Sequence, residues 1–76
     1  MTIRDEALSN RVSTALASDN RLSDLPIDVR VCGSEVFLKG KVAFPEQLDV
    51  VQFVVAGIPG VRHVNVEELE VAKSSQ

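Results

Sequence analysis

Residues 27–42 read Ile27-Asp28-Val29-Arg30-Val31-Cys32-Gly33-Ser34-Glu35-Val36-Phe37-Leu38-Lys39-Gly40-Lys41-Val42. Ile27, Val29 and Val31 alternate with Asp28, Arg30 and Cys32, the period-two pattern of a strand with one buried face. After Gly33-Ser34, Val36, Leu38, Gly40 and Val42 alternate in the same way with Glu35, Phe37, Lys39 and Lys41. Two alternating runs joined by a two-residue, glycine-containing link predict a β-hairpin. Gly40 is the one inward position without a side chain, and a helix packing closely over the sheet there is the expected reason.

Upstream, Leu8, Val12, Ala15 and Leu16 follow the i, i+4, i+7, i+8 spacing of one helical stripe and predict a helix from about residue 3 to 18. Thr2 with Asp5 makes a capping-box variant, and Asp5 and Glu6 suit the positive end of a helix. Asp19-Asn20 ends it, and Leu22 and Leu25 anchor a loop that runs to Pro26. Downstream, Pro45 suits the first turn of a second helix whose core stripe is Leu48, Val51, Val55 and Ile58, with Val54 at its edge. Gly57 ends that helix, and Ile58-Pro59-Gly60-Val61 predicts a type II turn.

The last run, Arg62 to Val71, changes phase: Val64 and Val66 share one parity, Leu69 and Val71 the other. A bulge near Glu67-Glu68 is expected to bring all four inward. Residues 72–76 read as a tail. The expected fold is a single α+β domain with a core over about residues 3–71. It is a two-layer sandwich in the order helix-strand-strand-helix-strand, with two helices packed on one face of a three-stranded sheet.

The chain has 76 residues, 45% hydrophobic and 25% charged, enough for one domain with a thin core. A single cysteine, Cys32, excludes an internal disulfide framework. Eight Lys and Arg against eleven Asp and Glu give a net charge of −3, which argues against a dedicated nucleic-acid binder. The basic residues are scattered along the chain, and only Arg30, Lys39 and Lys41 are expected to gather on one surface. Met1 to Glu6 lacks the apolar core of a signal peptide. Leu48 to Ile58, interrupted by Asp49 and Gln52, falls far short of a membrane span. The expectation is a cytoplasmic protein, or an envelope-associated one if the chain is a piece of an exported protein.

Candidate chemistry is sparse. Cys32 and His63 would pair if the first and third strands adjoined, but two separate exposed strand residues are the favoured reading. Two such residues do not supply the four ligands of a zinc site. Glu67, Glu68 and Glu70 lack the oxygen-rich loop of a calcium site and read as charges that protect a strand edge. No phosphate-cradling glycine motif is present. The reading names no catalytic residue, metal, cofactor or small-molecule substrate.

Two exposures are more informative. Phe53 falls opposite the Leu48–Val55 stripe, and Val50 lies beside it between Glu46 and Gly57. They form either an apolar interface patch or a spot covered by a loop or by the amino terminus around Ile3. The open face of the sheet is expected to show Arg30, Cys32, Phe37, Lys39, Lys41, His63 and Asn65. An aromatic flanked by basic residues suits anionic lipid headgroups or another sheet. Asp28 and Glu35 dilute that patch, which favours a solvated face or a dimer contact over a lipid site. The candidate interaction residues are thus Phe53, Val50, Phe37, Lys39, Lys41 and Arg30.

The run Val29-x-Val31-x-Gly33-Ser34-x-Val36-x-Leu38-x-Gly40-x-Val42, then a helix, then Pro59-Gly60-Val61-x-x-Val64, resembles a BON domain over roughly Arg4 to Val71. Two features depart from the family pattern. Gly33-Ser34 stands where the family usually has Asn or Asp followed by Gly, and the final strand is one residue longer than usual. The resemblance implies the same element order and a non-catalytic binding module. It also implies association with bacterial envelopes, phospholipid membranes and osmotic stress. The expected function is binding or assembly through protein contacts, self-association or phospholipid membranes. The alternative is a cytosolic ion-responsive module, by analogy with family members that bind potassium together with a partner domain.

Overall fold

The structure is a computed structural model and describes residues 3–72. Helix α1 (Ile3–Ser18) is followed by strands β1 (Ile27–Cys32) and β2 (Glu35–Val42), helix α2 (Pro45–Ala56) and strand β3 (His63–Val71). The expected order is therefore present, as a three-stranded sheet with β2 in the centre. The Thr2 cap and the tail from Lys73 onward lie outside the described residues.

β1 and β2 pair antiparallel, from Cys32 opposite Glu35 back to Ile27 opposite Gly40. Their turn has φ of 59° at Gly33 and 69° at Ser34, both in the left-handed region that a two-residue hairpin requires. β2 and β3 pair parallel, so the chain must cross the sheet between them, and α2 is that crossover. α1 packs over β1, and α2 lies mainly over β3.

Between the two helices and the sheet lies one core, in which Leu8, Val12, Leu16, Val31, Val36, Leu38, Val42, Val51, Val55 and Leu69 are buried. Leu22 joins them at 2% exposure, so the loop after α1 is pinned into the core by one side chain. Fully burying a leucine of this kind is worth roughly 1.5–3 kcal/mol, enough to order a loop that has no strand or helix of its own.

The phase change in the last strand is resolved by a bulge. Phe37 pairs with Asn65 and Lys39 with Glu68, so Val66 and Glu67 together stand opposite Leu38. The Glu67 amide donates instead to the Asn65 side-chain oxygen at 2.9 Å. That bond satisfies a backbone donor displaced from the ladder and sets the bulge one residue before the expected position. Val64, Val66, Leu69 and Val71 all pack against the core as a result.

Gly40 corrects an expectation. Its nearest neighbour is the chain entering β1 and not a helix; a β-carbon there would collide with the carbonyl oxygen of Pro26 and crowd the Cα of Ile27. The Lys41 amide donates to that same Pro26 oxygen at 3.4 Å, so the chain entering β1 is drawn tightly against the end of β2.

The start of α2 is tied to the same corner. Gln47 Oε1 accepts from the amides of Ala43 (2.6 Å) and Phe44 (3.0 Å), and its Nε2 donates to the Arg21 carbonyl at 3.2 Å. One amide side chain thereby satisfies two donors ahead of the helix and links α2 to the α1–β1 loop.

Candidate functional site

The six candidate interaction residues do not form one surface. Arg30, Phe37, Lys39 and Lys41 project from the open face of the sheet. Phe53 projects from the outer face of α2, in the opposite layer.

On the open face, Phe37 is 37% exposed and stands between Arg30 on β1 and Asn65 on β3. Arg30, Phe37 and Lys39 line a shallow concavity of about 700 Å³ with Asp28, Glu67 and Glu68. Strand pairing shows why this face is not cationic. Lys39 has Asp28 opposite it on β1 and Glu68 opposite it on β3, and Lys41 has Glu70 opposite it. These side chains make no direct ion pair with one another, but opposite charges at facing positions cancel the local field a lone basic patch would present. Sequence reasoning counted Asp28 and Glu35 as diluting the patch; Glu68 and Glu70 complete the neutralisation.

On α2, Phe53 is 80% exposed. Asp49 lies one turn before it and Glu46 two turns before, on the same side of the helix. Ile3 is 86% exposed and therefore does not cover it. Val50 is a correction: it is half-buried and packs against the core, because it sits at the margin of the buried stripe that Val51 and Val54 continue. Phe44, which sequence reasoning does not single out, is 55% exposed and held in extended conformation (φ −136°, ψ 152°) at the start of α2. An extended residue before a helix is outside the helical period, so no stripe argument places it.

Cys32 and His63 do not adjoin. β2 separates their strands, and Glu35 pairs with Cys32 on one side and with His63 on the other. Two ladder spacings put their backbones about 10 Å apart. No group of three or more His, Cys, Asp or Glu side chains that could hold a metal occurs among the described residues.

The structure also assembles a cluster that sequence reasoning missed. Arg4 and Arg11 on α1 and Arg62, which leads into β3, line one concavity of about 470 Å³. The β1–β2 turn at Ser34 and the Pro59-Gly60-Val61 turn complete its wall, and Leu8 lies at its floor. The Arg62 amide donates to the Ser34 carbonyl at 2.9 Å, which locks the two turns together. The φ of 100° at Gly60 brings the backbone close to Leu8, to which a β-carbon would lie at 3.5 Å. Asp5 also lines the concavity and is itself partnered. The basic residues are thus not merely scattered. The sequence signal that was available is the spacing of Arg4 and Arg11, which puts both on one side of α1; the arrival of Arg62 needed the parallel β3.

No helix among the described residues is long and apolar enough to cross a membrane. A search of curated proteins found no match to the chain. A scan against protein-family models matches the BON domain over residues 4–73. That match covers both helices and all three strands, and the chain belongs to the BON domain family.

Proposed function

We propose that this binding module attaches to anionic phospholipid surfaces through the Arg4, Arg11 and Arg62 concavity. The observation that carries this reading is that three arginines from distant parts of an acidic chain line one concavity. Guanidinium matches the geometry of phosphate oxygens with two parallel hydrogen bonds. Ile3, exposed beside Arg4 at the start of α1, supplies an apolar residue at the rim. Each cation held near an anionic leaflet contributes about 1 kcal/mol, so three give a weak, reversible and salt-sensitive attachment.

Flotation with vesicles of phosphatidylglycerol and phosphatidylcholine tests it. Binding is expected at low salt, with loss in Arg11→Glu and Arg62→Glu and no loss in Lys39→Glu. Equal recovery on pure phosphatidylcholine, or no binding at low salt, overturns it.

A second reading, protein contact through α2, is favoured by the surroundings of Phe53. Glu46 and Asp49 repel an anionic leaflet and suit a protein partner with a basic, apolar surface. Where that partner is this chain itself, light scattering of Phe53→Gln shows a smaller particle than wild type. An unchanged particle removes the helix face from self-association. The potassium-responsive alternative draws no support from the fold or the family match.

A further inference from the structure

We propose that the free edge of β1 pairs antiparallel with the β1 edge of a second copy of this chain. The two-fold axis passes through Val29, and two three-stranded sheets become one of six strands. This goes beyond lipid attachment and uses none of the residues of that site.

The strand order leaves β1 at an edge, with β2 on its other side. The hairpin register settles which backbone groups are unpaired. Cys32 and Glu35 close the two-residue turn, and Lys41 donates to Pro26 at the far end of the same ladder. Antiparallel pairs alternate between bonded and non-bonded, so Asp28, Arg30 and Cys32 bond to β2 while Ile27, Val29 and Val31 turn their backbone groups outward. The Ile27 amide is used by the Leu25 carbonyl at 3.0 Å. The amides of Val29 and Val31 and the carbonyls of Ile27 and Val29 remain available to a new strand. About the axis at Val29, the Val29 residues of the two copies exchange two bonds. The Val31 amide of each copy then donates to the Ile27 carbonyl of the other.

Charge selects this register over its neighbours. With Val29 on the axis, Asp28 of each copy stands opposite Arg30 of the other, in the non-bonded pairs whose side chains come closest. Sliding the axis one residue either way sets Asp28 against Asp28 or Arg30 against Arg30. Asp28 and Arg30 are both exposed and lie on the open face, where no helix intervenes. The opposite edge of the sheet is unsuitable for a second copy, because β3 carries Glu67, Glu68 and Glu70 and like charges oppose pairing there. A six-residue edge is only about 20 Å long and buries less than a standard interface, so the dimer is weak and depends on concentration and salt.

Sedimentation equilibrium of the full chain, up to about 1 mM, is the test. Wild type is expected to approach the dimer mass at the top of that range. Asp28→Arg sets four arginines against one another and is expected to raise the dissociation constant at least about tenfold. The double variant Asp28→Arg, Arg30→Asp reverses both charges and is expected to restore dimerisation. Circular dichroism of each variant confirms that the monomer is folded. A wild type that stays monomeric at about 1 mM overturns the proposal. So does an Asp28→Arg chain that dimerises like wild type, or a folded double variant that fails to recover. Vesicle flotation through Arg11 and Arg62 is read separately, so either result stands without the other.

Discussion

A β-carbon on Gly40 would run into the carbonyl oxygen of Pro26, the residue that leads into β1. The collision is with backbone on both sides, so no side chain can rotate away to relieve it. Gly40 also has a φ of 144°, which L-residues with a β-carbon rarely adopt. Gly40→Ala is therefore expected to cost at least about 3 kcal/mol, a large share of the stability of a small domain. Gly57→Ala is the matched control. Gly57 has a φ of −80°, and its added β-carbon meets the Phe53 carbonyl at an ordinary 3.5 Å. It is expected to be neutral or stabilising by up to about 1 kcal/mol. Urea denaturation of both variants measures the difference, and equal midpoints contradict the assignment.

Ser34 occupies the left-handed region with a φ of 69° and has no glycine's freedom to do so. Its carbonyl accepts from the Arg62 amide, a bond that any residue at this position keeps. Ser34→Gly removes the strain while preserving the bond. Part of the gain is returned because glycine loses more freedom on folding, which leaves about 0.5–1 kcal/mol of net stabilisation. The expected signature is a higher urea midpoint with an unchanged slope. A lower midpoint shows that the turn is not strained at Ser34.

The elements were legible where a period runs unbroken. Alternation in β1 and β2 and the stripe of α1 each assign a face to every residue, and those faces are occupied as expected. Periodicity assigns faces but not neighbours. The Gly40 position was recognised as special, yet its partner is Pro26, and nothing in the alternation of β2 points to the end of the preceding loop. The same limit explains the arginines: Arg4 and Arg11 share a helix side by spacing, while Arg62 joins them only because β3 runs parallel to β2. Lys39 and Lys41 read as a basic patch until the register set Asp28, Glu68 and Glu70 opposite them.

The loop after α1 carries the most displaced acidity among the described residues. Asp19 accepts from the Arg21 guanidinium at 2.8 and 3.0 Å and from the Arg21 amide at 2.9 Å. The side-chain bonds from Arg21, followed by its backbone bond, lower the Asp19 pKa from 3.8 to about 2. A depressed carboxyl stabilises the folded state at pH above its ordinary value and loses that contribution as the pH falls through about 2. The Arg21 side chain is 63% exposed, so solvent screens the pair and the effect on overall stability is small. An NMR titration is expected to place the Asp19 midpoint near 2. In Arg21→Ala the backbone amide remains, so the midpoint moves only part of the way back. A wild-type midpoint in the ordinary carboxylate range contradicts the geometry.

Phe53 and Leu22 separate contact from core. Both are large and apolar, but Phe53 is 80% exposed on α2 and Leu22 is 2% exposed in a loop. Secondary structure alone would protect the helix residue and discount the loop residue; burial reverses that order. Leu22→Ala removes a side chain that closes the core beneath the α1–β1 connection and is expected to cost about 2–5 kcal/mol. Phe53→Gln leaves the helix with a residue of good propensity and removes little buried area. Its cost is expected to stay within about 0.5 kcal/mol. Thermal unfolding of the two variants reads both values, with the larger drop in melting temperature at Leu22. A cost at Phe53 comparable to that at Leu22 means the ring is covered in solution. The outer face of α2 is then already engaged, by another copy or by another part of the chain, before any partner arrives.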